Sequence, residues 1–208
     1  MNIYLILITS AVYSYLLGGL NGAIILSKIL YGKDIRDYGS HNPGFTNFRR
    51  VFGNSFTAWS VILIDFVKTA IPVFITSLLM HNNFGLWQLG AAFSGFFCML
   101  GHCFPVWYRF HGGKAFMAGF ATIWFVDWRM ALIATAVFVI LLLTTHYMSL
   151  SACCASLACP IALLILGPTG VWVEILRALS ALLVILRHHE NIGRLIKGTE
   201  SKFYLKKK

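Results

Sequence analysis

Residues 55–80 read SFTAWSVILIDFVKTAIPVFITSLLM. The run exceeds the roughly 20 apolar residues needed to cross a hydrocarbon core. It holds two charges, Asp65 and Lys68, three positions apart and so on one face of a helix. Charge inside a span is costly and normally faces the interior of a bundle. The two are expected to pair there, either to lower that cost or to orient arginines of a neighbouring segment. Outward from this run, further apolar stretches predict helices over roughly 3–31, 86–101, 114–126, 129–147, 149–167 and 169–187. The runs at 86–101 and 114–126 are short. They are expected to be tilted, to be re-entrant, or to end in a polar cavity.

Composition agrees. Of 208 residues, 58% are hydrophobic and 12% charged, with a mean hydropathy of +0.75. A soluble domain of this length needs far more polar surface, so an integral membrane protein is expected, as a single domain over 1–208. The opening MNIYLILITS carries no basic stretch and no small-residue cleavage site follows, which reads as a retained first helix. The five cysteines form no C-x-x-C pair and read as small buried hydrophobes. The seven carboxylates are scattered without D-x-x-D or E-x-x-H pairing, so no metal site and no cofactor is expected, and a metal-dependent phosphotransferase is disfavoured.

Cations set the sidedness. Lys33, Arg36, Arg49 and Arg50 follow the first run, Arg109 and Lys114 follow the third, and Arg187, Arg194, Lys197, Lys202 and Lys206 to Lys208 follow the last. The opposite breaks, HNNFG, VDWR and GPTG, hold Arg129 alone. The positive-inside rule then predicts an all-α bundle of seven transmembrane helices, N-terminus outside and C-terminus cytoplasmic. The basic tail is expected to meet anionic lipid; no nucleic acid partner is implied.

Three polar segments fall on that one side. GSHNPGFTNFRRVFG, residues 39–53, supplies Ser40, Asn42, Thr46 and Asn47 as hydroxyls and amides, with Arg49 and Arg50 as forks for phosphate oxygens. Gly44 and Gly53 allow close backbone approach. FHGGKAF, residues 110–116, reads as a turn feeding a helix N-terminus, where amides and Lys114 favour an anion. The Walker A pattern is not matched. In RHHENIGRLIKGTE, residues 187–200, a helix would put His188 and Asn191 on one face with Arg194 one step on. These segments suit a pocket for a phosphorylated ligand. A small anion or phospholipid transporter is the competing reading, but there is no internal repeat and the polar residues pool on one side.

Together the segments resemble the bacterial acyl-phosphate:glycerol-3-phosphate acyltransferases, the PlsY family. The first is similar to its S-x-N-x-G-x-T-N-x-x-R loop through Ser40, Asn42, Gly44, Thr46, Asn47 and Arg50. The second is similar to its phosphate-loop segment through Gly101, His102, Pro105, Phe110, Gly112, Gly113 and Lys114. The third is similar to its R-H-x-x-N-I-x-R-L-x-x-G-x-E tail through Arg187, His188, Asn191, Ile192, Arg194, Leu195, Gly198 and Glu200. The chain departs from the family pattern at His41 and Ala115, where glycine is usual, at Phe45 for alanine, and at Gly19 for serine.

The resemblance implies a seven-helix bundle in the bacterial cytoplasmic (inner) membrane, moving an acyl group from acyl phosphate to the sn-1 hydroxyl of glycerol 3-phosphate and releasing lysophosphatidic acid. Ser40, Arg50, Lys114, His188 and Asn191 would be catalytic. Asn42, Gly44, Thr46, Asn47, His102, Gly112, Gly113, Arg194 and Glu200 would bind substrate, and Asp65 and Lys68 would orient. None of the seven histidines has aspartate five positions later, so no His–Asp base of the H-x-x-x-x-D kind is present. A substrate phosphate oxygen is the expected proton acceptor.

Overall fold

In a computed structural model of the chain, residues 2–167 and 169–204 are described; Lys206 to Lys208 lie outside them. The described residues are helical, without strands: α1 (Ile3–Gly18), α2 (Gly22–Tyr31), α3 (Phe45–Phe52), α4 (Phe56–Phe84), α5 (Trp87–Cys103), α6 (Phe116–Val126), α7 (Trp128–Thr145), α8 (Met148–Leu166), α9 (Val171–Arg187) and α10 (His189–Ile196). Five stretches are long and apolar enough to cross a membrane: Ile3–Tyr31, Phe56–Phe84, Trp87–Tyr108, Trp128–Thr145 and Met148–Leu166. Helices also occupy the two remaining predicted positions, but α6 has 11 residues and α9 has 17. At 1.5 Å per residue, α6 is only about 16 Å long.

Three local outcomes differ from expectation. The predicted helix 3–31 is broken at 19–21. Gly18 and Gly19 weaken it, and Asn21 starts a new helix by accepting the Ile24 N–H on its side chain at 3.0 Å. Helix α4 continues to Phe84, past the expected end at 80, because Gly85 takes a left-handed φ of 71° and returns its N–H to the His81 carbonyl at 2.8 Å. The polar segment 39–53, expected as a loop, contains α3. Phe45, Phe48 and Phe52 recur there at helical spacing, and Phe48 is fully buried among Ala23, Ile24, Ile35, Ala58 and Val61. Tyr31 stacks on Phe52 at 4.1 Å between centroids.

The chain forms two compact units, Met1–Val126 and Asp127–Lys208. In the first, α4 and α5 pack on each other and on both α1 and α6, with α2 and α3 against α4. Without a hydrophobic force between helices in lipid, close packing relies on small residues and short polar links. A Cβ on Gly18 would strike the Cys98 backbone and one on Gly101 the Tyr15 carbonyl, so α1 and α5 touch backbone to backbone. Ser14 and Ser94 share a hydrogen bond of 2.8 Å across that contact. In the second unit α8 packs on α7 and α9, and α10 lies on α8 and α9. Its C-terminal segment is tied back by the Phe203 N–H, which donates to the His146 carbonyl at 2.7 Å.

Candidate active site

The break between α1 and α2 is where the first unit gathers its polar groups. With the helix interrupted, the Leu20 carbonyl has no helical donor. The Lys68 ammonium supplies one at 2.6 Å. The same ammonium lies 2.8 Å from Asp65 Oδ1 and 2.9 Å from His102 Nδ1. The ammonium thus hydrogen-bonds the Leu20 carbonyl and His102 Nδ1 and forms an ion pair with Asp65, whose Oδ1 accepts no hydrogen bond among the described residues; all three side chains are buried. The expected pairing of Asp65 and Lys68 is present, and it is extended to His102. One residue beyond Leu20, the Asn21 amide donates to the Pro43 carbonyl at 3.0 Å and fixes the start of the first segment.

Within that segment Asn47 is almost fully buried, and its amide is engaged with backbone. Its Oδ1 accepts the Ser40 N–H at 2.8 Å, and its Nδ2 donates to the carbonyls of Tyr38 at 2.9 Å and Ile35 at 3.4 Å. Asn47, expected among the substrate contacts, is thus built into the loop itself. Gly39 has a φ of 64°, and a Cβ there would fall on Asn47 Oδ1. Ser40, Asn42, Gly44 and Thr46 are half-buried on the same short path, and the Arg50 side chain is exposed on α3.

The second segment folds over the end of α5. The Gly113 N–H donates to the His102 carbonyl at 3.0 Å, so this amide, expected at a phosphate, is engaged within the turn. A Cβ on Gly112 would strike the same carbonyl, and one on Gly113 would strike His102 Nε2. The two glycines are required by close approach to the histidine. Lys114 is half-buried two residues before α6, as expected of a turn feeding a helix N-terminus.

Arg36 ties the two segments together. It grips Asp34 with Nε at 3.0 Å and Nη2 at 2.7 Å, and its Nη1 donates to the Tyr108 carbonyl at 3.2 Å. Arg36 holds the Asp34 carboxyl well below the usual carboxylate range against the opposing effect of burial, with help from Lys28. Sequence reading missed Asn21 and the tie made by Arg36. Asn21 two residues after paired glycines was an available signal; the reach of Arg36 to Tyr108, 72 positions away, was not.

The second unit holds the third segment. The His188 Nδ1 lies 2.8 Å from the Val184 carbonyl, which can only accept, so the ring proton sits on Nδ1. Glu200 gathers the rest. Its Oε1 accepts from Ser149 at 2.7 Å and from Asn191 at 2.6 Å, and its Oε2 accepts from Arg194 Nε at 2.7 Å. Burial works to raise the Glu200 pKa, but these bonds outweigh it and hold it below the ordinary glutamate value. Glu200, expected either to help hold glycerol phosphate or to order the loops, is bonded to Asn191 and Arg194 of its own segment. Arg177, within α9, was also missed. It is buried, and its Nε and Nη1 have no hydrogen-bond partner among the described residues.

Fold and site together define a multi-pass membrane protein with polar motifs pinned to buried charge. The family model for glycerol-3-phosphate acyltransferase matches residues 8–198. The glycerol-3-phosphate acyltransferase of Finegoldia magna is 35% identical over 199 residues, covering 96% of this chain and 97% of that protein. That of Tolumonas auensis is 37% identical over 187 residues, covering 90% and 88%. Among solved structures, PlsY (YgiH), an integral membrane glycerol 3-phosphate acyltransferase, superposes in its glycerol 3-phosphate form with a TM-score of 0.85 at 31% identity, over 95% of this chain and 96% of that one. Its lysophosphatidic acid form gives 0.82 at 29%. The chain belongs to the glycerol-3-phosphate acyltransferase family and is a membrane acyltransferase.

Proposed function

We propose that the chain transfers an acyl group from acyl phosphate to the sn-1 hydroxyl of glycerol 3-phosphate, giving lysophosphatidic acid and inorganic phosphate, an entry step to phospholipid synthesis. The observation that carries this reading is the pinning of two phosphate-suited segments, 39–53 and 101–114, to one break in the first unit, through Asn21 and Lys68. One family model running across both units supports a single acyltransferase domain over 1–208.

In the reaction the glycerol hydroxyl oxygen bonds to the acyl carbon, and the carbon–oxygen bond to phosphate breaks. The hydroxyl proton leaves on a phosphate oxygen, so no dedicated base is needed. The donor is already activated, and orientation supplies most of the effect, up to ~7–11 kcal/mol in ideal cases. Ser40, Asn42, Thr46, Arg50 and Lys114 hold the acyl phosphate, and Lys114 with Arg50 balances charge on the departing phosphate. Gly44, Gly112 and Gly113 let backbone lie close. Asn47 and His102 keep the two segments in shape. His188, Asn191 and Arg194 hold glycerol phosphate, with Glu200 ordering the latter two.

The proposed setting is the bacterial cytoplasmic membrane, crossed seven times with the N-terminus outside and both substrates met at the cytoplasmic face. Helix α6 is short because the turn before it sits in a polar recess below the membrane surface.

Purified protein given synthetic acyl phosphate and glycerol 3-phosphate should release lysophosphatidic acid without added metal; acyl-CoA and acyl-carrier-protein donors should not replace acyl phosphate. Turnover with acyl-CoA alone would refute the donor. Arg50→Ala and Lys114→Ala should each abolish turnover in folded protein, and a near-normal rate in either would remove that residue's role. His188→Gln should keep part of the rate. Complete, pH-independent loss would make His188 Nε2 the base.

A further inference from the structure

Of the buried charge in the first unit, Lys68 is bonded in a way that pairing with Asp65 does not require. An ammonium only donates, so His102 Nδ1 must be its acceptor. The imidazole is then neutral and carries its proton on Nε2. That edge of the ring lies against Gly113, where a Cβ would strike Nε2 itself. The backbone of the same residue accepts the Gly113 N–H at 3.0 Å. His102 therefore holds the turn before Lys114 by its ring edge and its carbonyl. Lys68 holds His102 and, through Leu20, the break that carries Asn21 and Pro43.

We propose that Lys68 is a positioning residue of the active site, which fixes His102 as the Nε2–H tautomer and thereby sets the Gly112–Gly113 turn and Lys114. This rests on the acyltransferase reading above. A merely structural pair would ask of Lys68 only a positive charge near Asp65. That pair would be satisfied at 2.8 Å whichever nitrogen of His102 carried the proton.

The test begins with nitrogen-15 spectra of histidine-labelled wild-type protein in detergent at neutral pH, with His102 assigned by its loss in His102→Asn. A pyridine-type Nδ1 and a pyrrole-type Nε2 are expected. A protonated Nδ1, or a doubly protonated ring, overturns the proposal whether or not the protein turns over acyl phosphate. Lys68→Met should then change that signature and lower kcat/KM at least tenfold. Because it strands Asp65, Asp65→Asn/Lys68→Met is made beside it to keep a neutral, folded core; the same tenfold loss is expected there. Lys68→Arg, which keeps donors, should recover the signature and part of the rate. Wild-type kcat/KM in the folded double variant overturns the proposal. A correct tautomer in a wild-type protein that makes no lysophosphatidic acid would overturn the acyltransferase reading instead.

Discussion

Asn47 satisfies three backbone groups with one amide, and its replacement separates scaffold from ligand contact. Asn47→Asp keeps the acceptor for Ser40 but turns a carboxylate oxygen toward two carbonyls. A buried polar group left without its partner costs about 1–3 kcal/mol. Asn47→Asp should therefore lower the detergent melting temperature as well as the rate, whereas Arg50→Ala should lower the rate alone. Thermal melts beside kinetics decide this; an unmoved melting temperature would return Asn47 to the substrate contacts. His41 and Ala115, which stand where the family usually has glycine, have φ of 58° and 57°. Both positions therefore ask for the left-handed backbone that glycine takes freely. His41 recovers some of the cost through Nδ1, 2.8 Å from the Arg36 carbonyl. Ala115→Gly relieves about 1–2 kcal/mol of left-handed strain. It loses about 0.8 kcal/mol of methyl burial and about 0.4–1 kcal/mol to a freer unfolded chain. Stability should thus stay within about 1 kcal/mol of wild type. Ala115→Val, β-branched at a left-handed position, should be clearly destabilised in the same melt.

At the scale of elements, the α1–α5 contact has no space for a side chain at Gly18 or Gly101. Gly101→Ala must push backbone from backbone next to His102. It should cost well over 1 kcal/mol and lower kcat/KM, measured by melts and initial rates. In the second unit, Glu200 joins α10 to the start of α8. Its folded pKa lies below its unfolded value of about 4.5, so its contribution is present above that pH and fades as pH falls through the folded value. Proteolysis of the C-terminal segment should rise in that acid window in wild type, while Glu200→Gln should show no such acid step. Arg177 carries two unanswered donors inside α9. No carboxylate among the described residues pairs with it, so Arg177→Met should raise the melting temperature, and a fall would mean the guanidinium is used.

For the whole molecule, the proposed sidedness is a statement about which ends can be reached by water. In a cysteine-free background, Asn82→Cys should react with an impermeant thiol reagent on intact spheroplasts. Lys197→Cys should react only after permeabilisation; the reverse pattern would invert the topology. Charge alone suggests this orientation, since cations cluster at alternate helix ends. The two compact units each carry motif residues, and activity lost equally from Lys114→Ala and Asn191→Ala would mark them as one enzyme.

Hydropathy by itself determined that helix lies within each of the seven apolar runs, because a backbone in lipid must satisfy its own hydrogen bonds, but not the break at 19–21 or the extension of α4 to Phe84. Motif spacing was enough to name the family, since short polar and glycine-rich segments stand out against an apolar chain. The sequence also held the periodicity of Phe45, Phe48 and Phe52, but polar neighbours hid it. Only the tertiary structure decided which candidate groups are engaged within the protein itself. Asn47, Gly113 and Glu200 have the same chemistry as substrate contacts, yet their groups are engaged by Ser40, His102 and Asn191. Those partners depend on distances between segments, and local spacing carries no information about them. The role of Lys68 has the same origin: a broken helix leaves a carbonyl, and a residue 48 positions away supplies its donor.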